Sequence, residues 1–448
     1  MTQRGDRSPA GQVAPARLCA FTVVRRVFEQ DAYADRALIA EAADLEPRDR
    51  ALATALVFGT VQRRATLDYV AEVLTGRSVR RLQAPVLAAL RLGLQQLLFM
   101  DGVAEHAAVN ESVELAKTAG GRPGAGLVNA VLRRATREGR ALVDDLPDET
   151  PEQAALRHSV PEWLAALWFE ELGADTARLL LAHINAPAEA AVRANMLVTT
   201  PEQVMADLPV RSRPVAEIPE AIILEEPFDV HGSDLWRQGA IMPQARSSML
   251  AGRALAPSPG MRVLDLCAAP GAKATQLAAL RGGGEGMVAV ERHPGRAQAL
   301  TKTFARMHVT GAAVEVGDAA VLRGAGDTFD AVLVDPPCSG LGTLQSRPDL
   351  RWRTSPERVS ELAGLQAAIL KAAAPATAPD GILVYSVCTI TRAEGDNVIS
   401  AFLDDHPDFR PESLDALLPA AARGPYLRTL PHRDGTDGFF IARLRRAG

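Results

Sequence analysis

Two cysteines follow short apolar runs, in the stretches "VLVDPPCSG" and "VYSVCTIT". They are Cys338 and Cys388, two of the four cysteines among 448 residues. A thiolate is a strong nucleophile that can form a covalent intermediate, so a cysteine at a ligand-facing strand end is a candidate nucleophile. A lone cysteine is more often a small buried apolar residue, which is our interpretation of Cys19. The positions of Cys338 and Cys388 therefore favour chemistry at one or both of them.

A loop and three acids indicate a cofactor site. The loop "CAAPGAK" follows another apolar run, and its small residues let a ligand approach the backbone closely. It is neither GxGxxG nor GxxxxGK[ST], which argues against a dinucleotide and against a phosphate-binding lysine. Three later runs end in Glu291, Asp318 and Asp335. A single acid at a strand end often caps the next helix, but the set is harder to explain in that way.

We predict that the cofactor is S-adenosylmethionine. Its amino-acid part would lie on the loop, with Lys273 and Arg296 pairing with the carboxylate. Glu291 would accept hydrogen bonds from the ribose hydroxyls, and Asp318 would face the adenine amine. The predicted cofactor-binding residues are Cys267, Ala268, Ala269, Pro270, Gly271, Ala272, Lys273, Glu291, Arg296, Asp318 and Asp335.

The residue after the two prolines indicates the target atom. Methyltransferases that attack exocyclic amines commonly place an aromatic residue there to stack on the flipped base, whereas this chain has Cys338. Carbon-5 of a pyrimidine is not nucleophilic until a thiolate adds to C6. That chemistry needs a cysteine nucleophile and an acid near N3 that stabilises the charge developing on the ring. Asp335 suits the second role, and either Cys338 or Cys388 could fill the first.

The elements that must position these residues begin near Gly260. Five short apolar runs alternate with helix-like segments, which predicts an open, mostly parallel sheet with helices on both faces. Ligands of such sheets bind at the carboxyl ends of the strands, where the candidate residues stand. The runs are "MRVLDLCA", "GMVAVE", "AAVEVG", "DAVLVD" and "GILVYSV".

Three further regions precede this Rossmann-like methyltransferase domain, which we place at residues 251–448. We expect a disordered tail at 1–15, an all-α helical bundle at 16–144 and a small α/β connector at 145–250 that presents substrate. Residues 1–140 carry a net charge of +5 and residues 141–250 a net charge of −11. A basic front half on an acidic protein suggests a polyanionic partner.

Composition excludes several classes of protein. No apolar run approaches the roughly 18 residues that a membrane helix needs, and the N-terminus has no apolar signal core. The four cysteines lack disulfide or zinc spacing, so we expect no metal. We therefore predict a cytoplasmic protein without a membrane partner, acting as a monomer.

The methyltransferase region resembles the RsmB/NOP family of RNA cytosine-5 methyltransferases. The matching stretches are "LDLCAAPGAKATQLA", "VLVDPPCSGLGTLQSRPDLRW", "GILVYSVCTITRAEGDNVI" and "GTDGFFIARLRR". The resemblance implies that Cys388 is the nucleophile and that Cys338 assists release of the methylated base. Two positions depart from the family pattern: Ala272 replaces a loop glycine, and "QARSS" at 244–248 replaces a "QDEAS"-like stretch.

The front region resembles the NusB-type RNA-binding domain, through "LVFGTVQRRATLDYV", "AAVNESVELAK" and "LVNAVLRR". Together the two resemblances imply 16S ribosomal RNA as the partner, methylated before or during assembly of the small subunit. Two alternatives stay open: the same chemistry on transfer RNA, and a non-catalytic RNA-binding or antitermination factor.

Overall fold

The computed structural model describes residues 13–321, 327–415 and 425–448. Most of the predicted disordered tail therefore lies outside the described residues. The chain forms two compact units: one runs to Ala186 and includes Leu344–Arg353, and the other comprises 187–343 and 354–448. Residues 145–186 belong to the first unit. The expected domain boundaries at residues 144 and 250 stay a prediction.

The first unit is helical. Its helices up to residue 186 are α1 (Pro15–Glu29), α2 (Ala34–Glu41), α3 (Pro47–Gln62), α4 (Arg64–Thr75), α5 (Ala84–Phe99), α6 (Glu105–Asp144), α7 (Pro151–His158), α8 (Glu162–Leu172) and α9 (Ala174–His183). α1, α3, α5 and α7 have a proline in the first turn, where the missing N–H costs nothing. α6 breaks at Gly121, whose φ is 72°. Apolar residues at helical spacing fill one core, which confirms the all-α front region.

A segment from much later in the chain, Leu344–Arg353, belongs to this helical unit. Its Arg351 is fully buried. The guanidinium donates hydrogen bonds at 3.1 Å to the carbonyl oxygens of Gln62 and Ser159. The neighbouring Trp352 packs against the helical core. The core therefore depends on residues that the sequence places inside the methyltransferase region.

The second unit begins with a small sheet. Within the described residues it is antiparallel, in the order β2-β3-β1-β4. This is the α/β connector that the apolar runs predicted, although it packs in the same unit as the methyltransferase sheet. Its elements are β1 (Ala191–Ala194), α10 (Pro201–Asp207), β2 (Ser212–Pro214), β3 (Ala221–Leu224), α11 (Asp234–Arg237) and β4 (Ile241–Pro243).

The remaining described residues form a larger, mixed sheet with helices on both faces. The helices are α12 (Arg246–Leu255), α13 (Ala272–Arg281), α14 (Pro294–Arg306), α15 (Leu350–Arg353, in the helical unit), α16 (Pro356–Ala376), α17 (Asp396–Asp405) and α18 (Pro431–Asp434). The strands are β5 (Val263–Asp265), β6 (Met287–Glu291), β7 (Ala313–Val316), β8 (Phe329–Val334), β9 (Thr377–Val387), β10 (Phe409–Pro411), β11 (Leu427–Thr429) and β12 (Phe439–Arg446).

Strand order places the candidate residues together. The order is β10-β12-β9-β8-β5-β6-β7, with β11 beside β12. The five predicted strands, β5 to β9, run parallel to one another, and β12 adds to β9 antiparallel. Side chains alternate between the faces: Val263 packs with α12–α14, and Leu264 with α16 and α17. The carboxyl ends of β5, β6, β7, β8 and β9 therefore meet at one edge.

The described residues contain neither a candidate membrane helix nor a candidate metal site. None of the described helices is both long and apolar enough to cross a membrane. Nor do three or more His, Cys, Asp or Glu side chains cluster there in a way that could hold a metal ion.

Candidate active site

The two candidate cysteines lie in contact. Cys338 follows β8 and Cys388 follows β9, and parallel pairing of Val334 with Tyr385 brings the ends of these strands side by side. The two sulfur atoms are 2.9 Å apart and both thiols are free. Two thiols that contact each other at the ligand-binding edge are suited to act on the same substrate atom or on neighbouring ones.

The surroundings of Cys338 keep its thiol protonated. Its hydrogen bond to Cys388 raises its pKa well above the usual value, and burial and the negative charges of Glu394 and Asp335 add to the effect. A protonated thiol is a poor nucleophile but can take part in a proton transfer.

Asp335 is held in place by two partners. The ammonium of Lys273 donates to Oδ2 at 2.9 Å, and the hydroxyl of Ser386 donates to Oδ1 at 2.8 Å. Burial opposes the charge on Lys273, but Asp335 outweighs it and raises the pKa of the ammonium. The structure therefore pairs Lys273 with Asp335, where the sequence suggested a cofactor carboxylate. An acid and a cation are thereby fixed beside the thiols.

The predicted cofactor loop joins β5 to α13. Gly271 caps α13 with a φ of 111°, a conformation that favours glycine, and a Cβ there would lie 2.9 Å from Leu300 Cδ1, so that this side chain would have to shift. Ala272 is the first residue of α13, a position where alanine is favourable, which accounts for this departure from the family pattern. Burial and nearby acids raise the pKa of the Cys267 thiol, which disfavours the thiolate that nucleophilic attack requires.

Asp265 is a site residue that the sequence analysis missed. It ends β5 and is 1% exposed. Its Oδ1 accepts a hydrogen bond from the Cys267 amide at 3.4 Å, and its buried Oδ2 has no partner among the described residues. Burial and the charge of Asp335 raise the pKa of Asp265 to about 7. An unpaired buried carboxylate oxygen is costly unless a ligand donates to it. The sequence pattern that could have identified Asp265 is an acid at the end of the apolar run "VLD", the same pattern that pointed to Glu291, Asp318 and Asp335.

Glu291 and Arg296 form a pair beside the loop. Glu291 is 4% exposed and accepts a hydrogen bond from the His293 amide at 2.9 Å. Arg296 lies 3.5 Å from Glu291 and donates to the carbonyl oxygen of Ala269 at 2.7 Å. Arg296 thus links the loop to the end of β6, and the structure gives it these partners instead of a free position facing a carboxylate.

Asp318 follows β7 at the same edge. Its Oδ1 accepts a hydrogen bond from the Ala320 amide at 3.0 Å, and Arg292 lies 3.6 Å from Oδ2. The carboxylate is partly exposed, so it retains room to accept a hydrogen bond from a ligand.

The "QARSS" stretch is packed inside the second unit. Gln244 and Ser247 are buried. Gln244 accepts a hydrogen bond from the fully buried Arg193 at 2.8 Å, and Arg246 pairs with Glu189 at 2.7 Å. These contacts hold the small sheet against α12 and α13, so burial limits what Gln244 and Ser247 could offer an RNA.

Three known protein families match successive parts of the chain. Residues 252–445 match the family described as 16S rRNA methyltransferase RsmB/F. Residues 14–137 match the NusB family, and residues 160–231 match a ferredoxin-like domain of RsmF/B-like methyltransferases.

Relatives match over most of their length. The probable ribosomal RNA small subunit methyltransferase B of Bacillus subtilis (strain 168) is 34% identical over 90% of this chain and 92% of its own. Ribosomal RNA small subunit methyltransferase B of Thermus thermophilus is 39% identical over 89% of each chain. The crystal structure of PH0851 has a TM-score of 0.81 at 25% identity, covering 97% of this chain and 99% of that one. The chain therefore belongs to the 16S rRNA methyltransferase RsmB/F family, with a NusB-family domain at its front.

Proposed function

We propose that this protein transfers a methyl group from S-adenosylmethionine to C5 of one cytosine in 16S ribosomal RNA, through a covalent bond between Cys388 and C6 of the base. The observation that carries the proposal is the contact between the Cys338 and Cys388 thiols, with Asp335 on the same loop as Cys338. Methyl transfer to an exocyclic amine would need neither thiol.

The proposed reaction begins at Cys388. Its thiolate attacks C6, the C5–C6 double bond opens, and negative charge spreads over the ring toward N3. We assign Asp335 to the N3 side of the ring, where the Lys273 ammonium that it holds supplies positive charge as the ring becomes negative. S-adenosylmethionine, when bound, would supply the methyl group that C5 receives. A water molecule acting as base would then take the C5 proton, and the electron pair of the C5–H bond would re-form the C5–C6 double bond while the C6–S bond breaks and returns the thiolate of Cys388.

The environment of Cys338 supports this division of roles. Its thiol has a raised pKa and stays protonated at neutral pH. It therefore suits the elimination step better than attack, because a protonated thiol in contact with Cys388 can donate a hydrogen bond to the thiolate as that thiolate leaves C6. This is the assignment that the family resemblance implied.

The described residues fit S-adenosylmethionine, which supplies an electrophilic methyl group when bound. The orphaned Oδ2 of Asp265 can accept a hydrogen bond from the amino group of the methionine part. The loop from Cys267 to Gly271 leads into the N-terminus of α13 at Ala272, where backbone N–H groups can bind the carboxylate. Glu291 and Asp318 stand at the next two strand ends, as ribose and adenine recognition require.

Support for a ribosomal RNA substrate comes from the relatives and from charge. The two relatives described above are named ribosomal RNA small subunit methyltransferases. The front domain exposes arginines on α6, including Arg133, Arg137 and Arg140. Such residues neutralise phosphates and hold RNA without reading its sequence.

Bisulfite sequencing tests the proposal directly. Cells that lack this protein should lose one 5-methylcytosine from 16S ribosomal RNA. The wild-type gene should restore it, and a gene for Cys388→Ala should not. Loss of the mark from transfer RNA alone would contradict the substrate, and restoration by Cys388→Ala would contradict the mechanism. Unchanged methylation in both RNAs would favour a non-catalytic RNA-binding factor.

A further inference from the structure

Behind the two thiols lies a buried carboxylate, Glu394, which the proposed reaction does not use. It is fully buried. Its Oε1 accepts hydrogen bonds from the Ser339 amide at 2.8 Å and from the Gln366 side chain at 3.0 Å. Its Oε2 accepts from the hydroxyls of Ser339 at 2.5 Å and Thr391 at 3.1 Å. Four donors thus converge on one side chain.

Hydrogen bonds alone compensate the burial of Glu394. Across the described ranges, no Lys, Arg or His forms an ion pair with it. A buried carboxyl group without a cation persists only where several donors replace its lost water. Packing alone does not explain this set of donors. An apolar side chain of similar size would fill the same space without the free-energy cost of burying a carboxyl group.

The donors belong to both cysteine loops. Ser339 directly follows Cys338, and its hydroxyl also lies 3.0 Å from the hydroxyl of Thr389, which directly follows Cys388. Gln366 donates to the carbonyl oxygen of Pro337, the residue before Cys338, at 3.0 Å. The network therefore contacts residues on both sides of one cysteine and the residue next to the other.

We propose that Glu394 is a positioning residue, which fixes the two loops so that the Cys338 and Cys388 thiols stay in contact. The catalytic consequence rests on the function proposed above, because attack and elimination by two thiols require both to reach the same base. The positional claim does not depend on that function. It concerns the distance between two sulfur atoms in the free protein.

Three substitutions separate hydrogen bonding from charge and from packing. Glu394→Gln keeps the length of the side chain, its Oε1 can still accept from Ser339 and Gln366, and its amide can donate to the hydroxyls of Ser339 and Thr391. Glu394→Asp is shorter by one methylene group and cannot reach both loops. Glu394→Ala leaves the donors unpaired. Glu361→Gln, an exposed acid on α16, is the matched control.

Two hydrogen bonds between backbone groups near the cysteines should preserve the fold in these variants. The Gly342 amide donates to the Cys388 carbonyl at 3.1 Å, and the Gly438 amide donates to the Gly342 carbonyl at 2.8 Å. None of these groups involves Glu394. Thermal melting of each variant checks that the second unit remains folded before any thiol measurement is interpreted.

The first measurement is the rate at which diamide joins Cys338 to Cys388. Diamide takes two electrons and two protons from the thiols, and mass spectrometry of the peptides identifies the disulfide. We expect Glu394→Gln and Glu361→Gln to react within about threefold of wild type, and Glu394→Asp and Glu394→Ala to react about tenfold more slowly or worse. This assay needs neither RNA nor cofactor, so its result stands even if the proposed function fails.

The second measurement is methylation of RNA. Glu394→Ala should lower kcat by about a hundredfold with little change in KM for RNA, because Glu394 is buried and touches no substrate. Glu394→Gln should recover most of the rate. A folded Glu394→Ala that forms the disulfide at the wild-type rate would overturn the proposal. So would a folded Glu394→Gln as slow as Glu394→Ala, since hydrogen bonding would then not be what holds the loops.

Discussion

The sulfur atoms of Cys338 and Cys388 lie 2.9 Å apart although the residues are separated by 50 positions in the chain. Parallel pairing of β8 with β9 accounts for this, because equivalent ends of parallel neighbours meet at one edge. Contact between the thiols makes a two-thiol reaction possible, and it allows the role of each thiol to be tested by removing the other.

Loss of Cys388 should prevent the reaction from starting. Cys388→Ala should give no protein–RNA adduct and no methylated product, because nothing adds to C6. Cys338→Ala should still attack and transfer the methyl group but release the product slowly. Incubated with RNA and S-adenosylmethionine, it should accumulate a protein–RNA band that survives denaturing gel electrophoresis. A stable band with Cys388→Ala and none with Cys338→Ala would show that the two roles are reversed.

Removal of Glu291 should weaken cofactor binding. A carboxylate that accepts from both ribose hydroxyls makes two charge-assisted hydrogen bonds, so Glu291→Ala should bind S-adenosylhomocysteine at least about tenfold more weakly. Isothermal titration calorimetry measures this directly. Glu285→Ala, which removes an exposed acid of the same unit, serves as the control. Equal affinities for Glu291→Ala and wild type would remove Glu291 from the ribose site.

Sequence patterns predicted the sheet and its reactive edge because both follow from local rules. Alternating apolar runs and helices define a parallel sheet, and such a sheet brings Asp335, Cys338 and Cys388 to one edge whatever the details of packing. The same rules indicated an all-helical front region. These predictions needed no knowledge of which side chains meet.

The contacts between distant side chains could not be predicted in this way. Lys273 pairs with Asp335, 62 positions away, and Glu394 reaches Ser339 across 55. Arg351 belongs to a motif that the sequence analysis assigned to the methyltransferase domain, yet its side chain is buried in the helical unit. Each of these contacts depends on how distant parts of the chain pack together in the folded protein. Sequence periodicity and composition carry no information on that packing.

The raised pKa of Asp265 predicts how stability depends on pH. A carboxyl whose pKa is about 7 in the folded state and about 3.9 when unfolded binds its proton more tightly when folded. The stability it contributes is complete below pH 4 and is lost as the pH rises through 7. Asp265→Asn does not titrate, so its free energy of unfolding relative to wild type should rise between pH 4 and 7, by on the order of 4 kcal/mol.

Urea unfolding at several pH values measures this difference for the cofactor-free protein. Val316→Ala, which changes an exposed residue of β7 that has no titratable group, should give a curve parallel to wild type in this range. If the curve of unfolding free energy against pH for Asp265→Asn were also parallel to that of wild type, Asp265 would be charged in the folded state across this pH range. Its unpaired oxygen would then need another explanation.

Arg351 should be important for the stability of the helical unit. Arg351→Ala leaves the carbonyl oxygens of Gln62 and Ser159 buried without donors, which should cost on the order of 3 kcal/mol. Urea unfolding followed by tryptophan fluorescence reports mainly on this unit, which contains Trp163, Trp168 and Trp352, three of the four tryptophans. Arg140→Ala, at an exposed position of α6, should change stability by less than about 0.5 kcal/mol. Similar unfolding midpoints for the two variants would contradict the structural role of Arg351.

The front domain should supply affinity for RNA through its exposed arginines. Arg133, Arg137 and Arg140 are four and three residues apart in α6, so they lie on the same face of this helix. This spacing gathers positive charge on one surface of the helical unit. Deleting the domain is a poor test, because Leu344–Arg353 would lose the helices it packs against. Substitution of surface residues avoids that difficulty.

We therefore expect the triple variant Arg133→Gln, Arg137→Gln, Arg140→Gln to bind RNA more weakly at low salt. Each phosphate contact contributes about 0.7 to 0.9 to the slope of log K against log salt, so the slope should fall by about 2 if these residues touch phosphates. Binding of S-adenosylhomocysteine should not change. Arg358→Gln, an exposed arginine of α16, is the control for loss of charge elsewhere. Parallel salt dependences for the triple variant and wild type would mean that RNA is held by another surface.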